Sequence, residues 1–464
     1  MKTLVGIGLV AVVLGASFFL LQGPRVIDIT GEGASTATSS VSGAATLAAA
    51  AAGGSAAASS SPTPVLASTS TQKAAAVKNG TADLPNQLPL ANPPAAIHGL
   101  YLTSWSAGSS AKVEATIAFM KRTGLNAVVI DIKDYSGYLA YRTGIPEAVA
   151  SGAESDIRIL RPNAVIKRFH DEGFYIIGRV TVFQDPIIAK AHPEWALQSK
   201  TTGKTWTDNN KLAWLDAAGK PAWDYVVSIA KDAIARGFDE VNFDYIRFAS
   251  DGNLSAIAYP FWDMKTSRAS VIAKFFAYLR QQLAGARISA DLFGLSTVNH
   301  DDLGIGQVIE SAYRNFDYVC PMVYPSHYAT GFLGYTSPAK YPYEVIKYSM
   351  DHARARLEVL AHPVASSSTS STSAEAASSM VSTSSLLAAA TSTPPAAPVP
   401  ILAKLRPWLQ AFDLGAIYTS AMINKEIKAV TDAAAGSDTT NGWLLWNPAN
   451  TYGQFQPAAT STNP

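Results

Sequence analysis

The feature that most constrains this chain is a repeated alternation of strand-like and helix-like segments. GLYLTSW (99–105) leads to a helical pattern near 111–123, and NAVVIDIKD (126–134) leads through a loop to 162–172. FYIIGRVTVF (174–183) precedes 221–236, EVNFDYIRF (240–248) precedes 264–284, and ARISADLFG (286–294) precedes 305–314. FDYVCPMVY (316–324) precedes 343–360, RPWLQAFDL (406–414) precedes 421–434, and GWLLWNP (442–448) comes last. Gly124, Gly173, Gly237 and Gly285 stand just past four of the helical patterns, as C-terminal caps do. Eight strands with seven intervening helices, joined by right-handed crossovers, predict an α/β fold of the (β/α)8 TIM-barrel type over residues 97–455. The alternative is an open doubly wound sheet, but no Gly-rich phosphate turn follows the first strand, and GIG at 304–306 is too short to be one.

Two stretches stand outside this pattern. Residues 26–96 are rich in Ala, Ser and Thr and poor in large apolar side chains, which predicts a disordered linker. A similar tract at 363–400 predicts a disordered insert within the barrel, because the alternation resumes after it; residues 456–464 read as a tail. Before the linker, LVGIGLVAVVLGASFFLL (4–21) carries no charge and follows Lys2. That length predicts a signal anchor within residues 1–25, with the barrel outside the cytoplasm, or a cleaved signal peptide on a secreted protein. The membrane is therefore an expected partner through this segment.

Composition removes several chemistries. The formal net charge is +1 and no basic tract tracks a phosphate backbone, so nucleic acid is not an expected partner. A single cysteine, Cys320, excludes an intrachain disulfide and a zinc site built on several thiolates. There is no G-x-S-x-G elbow and no HExxH motif, and NHDD (299–302) reads as a solvated loop, so neither metal nor cofactor is expected.

Side chains on a barrel strand alternate between the interior and the helix layer, and active sites form at the C-terminal strand ends. In strand 4, Val241 and Phe243 suit the outer layer, which turns Asn242 and Asp244 inward. The same parity turns Asp131 and Lys133 of strand 2 inward, with Arg179 and Thr181 of strand 3, Ser289 and Asp291 of strand 5, and Tyr324 of strand 6. It also aims Gln410 and Trp446 inward. Asp131, Lys133 and Arg179 have two readings, a buried pairing that fixes register and a substrate-positioning role. Asp244 and Asp291 are the candidate catalytic pair, since glycoside hydrolysis needs two carboxylates flanking the scissile bond. Trp206 and Trp214, with Asp208 and Asp216 beside them in the long loop after strand 3, are candidates for stacking on and binding sugar. Arg247, three residues beyond Asp244, is a further positioning candidate.

HGLYLTSW, VVIDIKDYSG, IIGRVTVFQDP, AHPEWALQSKTTGKTW, LAWLD, GFDEVNFDYIRF, SADLFG, CPMVYPSHY, RPWLQAF and GWLLWNP occur in this order. Together they resemble a bacterial family of exported TIM barrels assigned as glycoside hydrolases, over about 97–450. The resemblance implies glycoside hydrolysis with a substrate the family leaves open; a polysaccharide or oligosaccharide is the expected partner. Two remoter likenesses qualify it. An acid on strand 4 paired with one on strand 5 is similar to α-amylase-type barrels, where the second acid is glutamate rather than Asp291. FDEVNFDYIRF is similar to the chitinase strand-4 motif, but Asn242 and Ile246 stand where that motif has acids, so the substrate-assisted chitinase mechanism is not implied. The expectation is a glycosidase of the cell envelope or extracellular space, with a catalytically silent glycan-binding barrel as the alternative.

Overall fold

A computed structural model of the protein describes residues 82–361 and 403–458. Eight parallel strands close on themselves: β1 (Ile97–Leu102), β2 (Ala127–Lys133), β3 (Tyr175–Thr181), β4 (Glu240–Asp244), β5 (Ile288–Phe293), β6 (Tyr318–Met322), β7 (Trp408–Gln410) and β8 (Gly442–Trp446). Closure runs through Trp408 opposite Met322 and Ile97 opposite Gly442. The outer layer is α1 (Ser110–Thr123), α2 (Pro162–His170), α3 (Lys220–Arg236), α4 (Arg268–Gln282), α5 (Ile309–Tyr313), α6 (Pro342–Ala361) and α7 (Ser420–Ala434). The expected strand order and helix placement hold, and the open-sheet alternative falls.

Local chemistry sets the helix ends. Ser109, Ser267 and Thr419 cap α1, α4 and α7 with side-chain oxygens. Gly124 and Gly237 close α1 and α3 at φ of 71° and 105°, where a β-carbon would be strained. At Gly237 that β-carbon would also meet the carbonyl of Gln87 at 2.6 Å. The chain packs there earlier than the expected linker boundary at 96 allows. Asp83 accepts the free N–H groups of Asn163 and Ala164 at the start of α2, and the N–H of Leu90 donates to Asp239 at 2.6 Å. The rest of the linker, the 4–21 apolar segment and the 363–400 insert lie outside the described residues. Among the described residues no helix is long and apolar enough to cross a membrane.

Two apolar clusters reflect the strand parity. Val128, Ile130, Val180, Val241, Phe243, Ile288 and Leu292 pack outward with the helices. Tyr101, Val129, Tyr175, Ile177, Cys320, Trp408 and Leu444 fill the barrel interior. Low in that interior, Glu240 receives a hydrogen bond from Arg406, both with fully buried side chains. Burial pushes the Cys320 thiol up, which makes it an inert packing group.

Three interruptions break the ladder. In β2 the register shifts between Asp131, opposite Arg179, and Lys133, opposite Val180, so Ile132 is an extra residue. Strand β4 ends at Asp244 because Tyr245 adopts φ of 55°, which cuts short the strand expected over 240–248. Before β7, Lys404–Leu405 already pairs with β6, and Pro407, having no N–H to donate, separates the two pieces.

Candidate active site

Four adjacent strands, β2 to β5, aim charged side chains at one point high in the barrel. Arg179 is its centre. Its Nη1 donates to Asp131 at 2.6 Å, its Nη2 donates to Asp244, and its Nε lies 3.7 Å from an oxygen of Asp291. One planar guanidinium therefore spans three carboxylates. Asp131 also accepts the hydroxyl of Tyr101, whose ring stacks on Trp446 at 3.9 Å between centroids. Trp446 in turn lies 5.1 Å from the Arg179 guanidinium.

The two candidate catalytic acids have different surroundings. Asp244 accepts from Arg179 on one oxygen and from the backbone N–H of Tyr245, 2.6 Å away, on the other. Asp291 is 1% exposed and takes both of its donors, Asn242 Nδ2 and Trp408 Nε1, each at 2.8 Å, on Oδ1. Its Oδ2 accepts no hydrogen bond and faces Arg179 Nε at 3.7 Å. Three carboxylates cannot all ionise around one cation in a dry interior. Burial first, and then the charge of Asp244, push Asp291 up to about 8; burial pushes Asp131 up to about 6. Asp291 is thus pushed toward its protonated form near neutral pH.

Of the other residues singled out from sequence, Tyr324 reaches the site. It is buried beside Phe412, and burial followed by the charges of Asp291 and Asp244 pushes its hydroxyl well up. Trp446 is half-buried over Arg179. Lys133 does not join the interior group. The β2 bulge flips its parity, and its ammonium donates to the Thr181 carbonyl and pairs with Asp185 at 2.9 Å, both side chains fully buried. The expected pairing of Asp131 with Arg179 stands, but Lys133 is a separate structural pair on the other side of the strand.

The loop aromatics are also placed differently from expectation. Trp206 and Trp214 are 4% and 1% exposed, with their N–H groups bound by the Asn253 carbonyl and Asp208, so neither offers a sugar an open face. Asp216 accepts three loop N–H groups, from Ala218, Phe261 and Trp262, and organises the loop. Gln410 is committed to the Phe412 carbonyl and the Ser326 N–H and positions the loops after β6 and β7. Arg247 lies in the turn after β4, not on the strand, bonded to Ser250 Oγ at 2.7 Å.

One open aromatic among the described residues was passed over by sequence reasoning. Trp105 follows β1 and is 60% exposed, with the Arg158 guanidinium 5.0 Å from its ring. Arg158 is itself pinned by Asp134 and Asp156. Tyr101 and Trp408 were also passed over, although strand parity marks both: Leu100 and Leu102 flank one on the outer face, and Gln410 lies two residues beyond the other.

A family model described as "Putative glycosyl hydrolase domain" matches residues 99–368 and 371–452. No curated protein matches the chain. Among solved structures, the chain is similar to a hypothetical protein from Ruminiclostridium thermocellum, with 37% identity over 44% of this chain and 98% of that one and a TM-score of 0.38. It is also similar to the PgaB (BpsB) glycoside hydrolase domain from Bordetella bronchiseptica, with 12% identity over 76% of this chain and 94% of that one and a TM-score of 0.48. A third similarity is to an alpha-galactosidase from Thermus thermophilus in complex with stachyose, at 14% identity, 58% and 52% coverage and a TM-score of 0.35.

Proposed function

This chain belongs to the glycosyl hydrolase domain family that its match defines, and from that premise we propose that its barrel hydrolyses a glycosidic bond with Asp291 as acid and Asp244 as nucleophile or base. The observation that carries the reading is the asymmetry of the pair. Asp291 has a dry environment that pushes it toward its protonated form, with one oxygen that accepts no hydrogen bond, while Asp244 is held by a guanidinium and a backbone N–H. Asp291 gives its proton to the leaving oxygen as the glycosidic bond breaks; Asp244 either takes a proton from the water that attacks the anomeric carbon, or attacks that carbon itself to form a glycosyl ester, which a water deprotonated by Asp291 then hydrolyses. Arg179 keeps the two acids in register, and Asp131 with Tyr101 fixes Arg179 from the far side. We further propose that the apolar stretch at 4–21 takes the barrel out of the cytoplasm, as a membrane anchor or as a cleaved signal peptide, to a cell-envelope or extracellular polysaccharide.

The test is reducing-sugar release from a panel of envelope and extracellular polysaccharides by the wild type, Asp244→Asn and Asp291→Asn. Each variant should lose at least about a hundredfold in kcat/KM. Unchanged turnover in both would overturn the assignment. A second reading, glycan binding without cleavage, is favoured by one observation: the acids are only 1% and 5% exposed. Retained binding with no turnover in any of the three proteins would establish it.

A further inference from the structure

Five cationic residues among the described ones are buried as a whole: Lys133, Arg179, Arg247, Arg356 and Arg406. Four of them have a carboxylate within 4 Å. Lys133 has Asp185, Arg179 has Asp131 and Asp244, Arg356 has Glu310, and Arg406 has Glu240. Arg247, at 8% exposure, has none among the described residues. Its hydrogen bonds run from Nη1, to Ser250 Oγ at 2.7 Å and the Phe248 carbonyl at 3.3 Å. Nε and Nη2 remain for another partner.

Three aromatic rings surround the guanidinium: Phe293 at 4.7 Å, Trp214 at 4.9 Å and Tyr245 at 5.1 Å. Ring faces recover part of the cost of burying a cation, but a carboxylate or phosphate recovers far more. The titratable groups that face it, Tyr245, Asp244, Asp251 and Asp208, act at longer range, and burial holds its guanidinium below the ordinary arginine range. Arg179, equally buried, is pushed the other way by its carboxylates. Two of these rings lie at the ends of the strands that carry the acids. Tyr245 directly follows Asp244, and Phe293 lies two residues beyond Asp291 at the end of β5.

We propose that Arg247 recognises an anionic group on the saccharide, a sugar carboxylate or a phosphate ester, next to the bond held between Asp244 and Asp291. The planar fork matches either anion in a bidentate contact, which a lysine could not reproduce. The proposal rests on the reading of this mouth as a glycan site, and it makes the substrate an acidic polysaccharide.

Binding separates the two claims, because it needs no turnover. Calorimetric titration of the full chain would compare oligogalacturonate, the same oligomer with its carboxyls reduced to alcohols, and a phosphorylated oligomannose. The expected result is at least about tenfold tighter binding of one anionic ligand than of the neutral oligomer, weakened by raising salt. Which anion wins identifies the source of the charge. Arg247→Gln should bring the anionic ligand down to the neutral affinity, and Arg247→Lys should keep only part of the preference. If the Gln variant melts early, the Lys variant and the carboxyl-reduced oligomer carry the test. Equal binding of charged and neutral ligands by the wild type, or a preference that survives Arg247→Gln in a folded protein, overturns the proposal. A charge preference without any hydrolysis would leave it standing and overturn the glycosidase reading alone.

Discussion

Replacing Asp291 with asparagine should change how stability depends on pH, in a direction and amount that the site dictates. In the unfolded chain the carboxyl titrates near 3.8, and in the barrel it is pushed up to about 8. Between those values the folded protein holds a proton that the unfolded chain has released. Stability therefore falls as pH rises through that window and levels off above about 8. The full slope for one proton is about 1.4 kcal/mol per pH unit. From pH 6 to 8, with the folded group half titrated at the upper end, the loss is about 2 kcal/mol, worth a few degrees in Tm for a domain of this size. Asparagine keeps the geometry: its amide oxygen accepts from Asn242 and Trp408 as Oδ1 does now, each over 2.8 Å. Its amide nitrogen takes the place of Oδ2, 3.7 Å from Arg179 Nε, too far to clash. Asp131, pushed up to about 6, adds its own slope to both proteins and cancels in the comparison. Urea unfolding of both proteins at pH 6, 7 and 8 would measure the difference. The wild type should lose about 2 kcal/mol more than the variant. Parallel profiles would refute the claim that Asp291 is buried as a neutral acid.

The same proton makes kcat/KM fall as pH rises through about 8, since the general acid is then lost; a pH–rate profile with a flat limb between 7 and 9 would contradict this. Arg406→Met leaves Glu240 buried without a cation and should cost about 3–5 kcal/mol in a denaturant titration, while the double variant with Glu240→Gln should recover most of it. Trp105→Ala should weaken long oligosaccharides but not short ones. Covering ~50 Å² of ring face is worth about 1 kcal/mol, roughly fivefold in affinity, and equal losses at all chain lengths would remove Trp105 from the binding surface.

How far the barrel and its site are legible in the sequence depends on where the strands are unbroken. Parity carries Asn242, Asp244, Ser289 and Asp291 to the interior because β4 and β5 hold register with each other, Asn242 standing opposite Ser289. It carries Asp131 and Arg179 there for the same reason. It fails one residue past the β2 bulge, where a single extra Ile132 reverses Lys133, and one residue past Asp244, where the positive φ of Tyr245 takes Arg247 off the strand. Neither break has a residue signal, because an isoleucine and a tyrosine are both good strand formers. Loop aromatics fail for another reason. Sequence places tryptophans at the mouth but does not say which carbonyl or carboxylate will bind each indole, and that partner decides whether a face is open. Trp214 meets Asp208 and closes, while Trp105 meets only the guanidinium of Arg158 from one side and stays open. The Glu240–Arg406 pair is hidden by distance, its partners lying 166 residues apart. The reliable residues are therefore those on uninterrupted ladder, and both proposed catalytic acids belong to that set. Arg247 does not, so its role rests on its missing carboxylate partner and on its place beside the ends of β4 and β5, and stands or falls with the binding measurement.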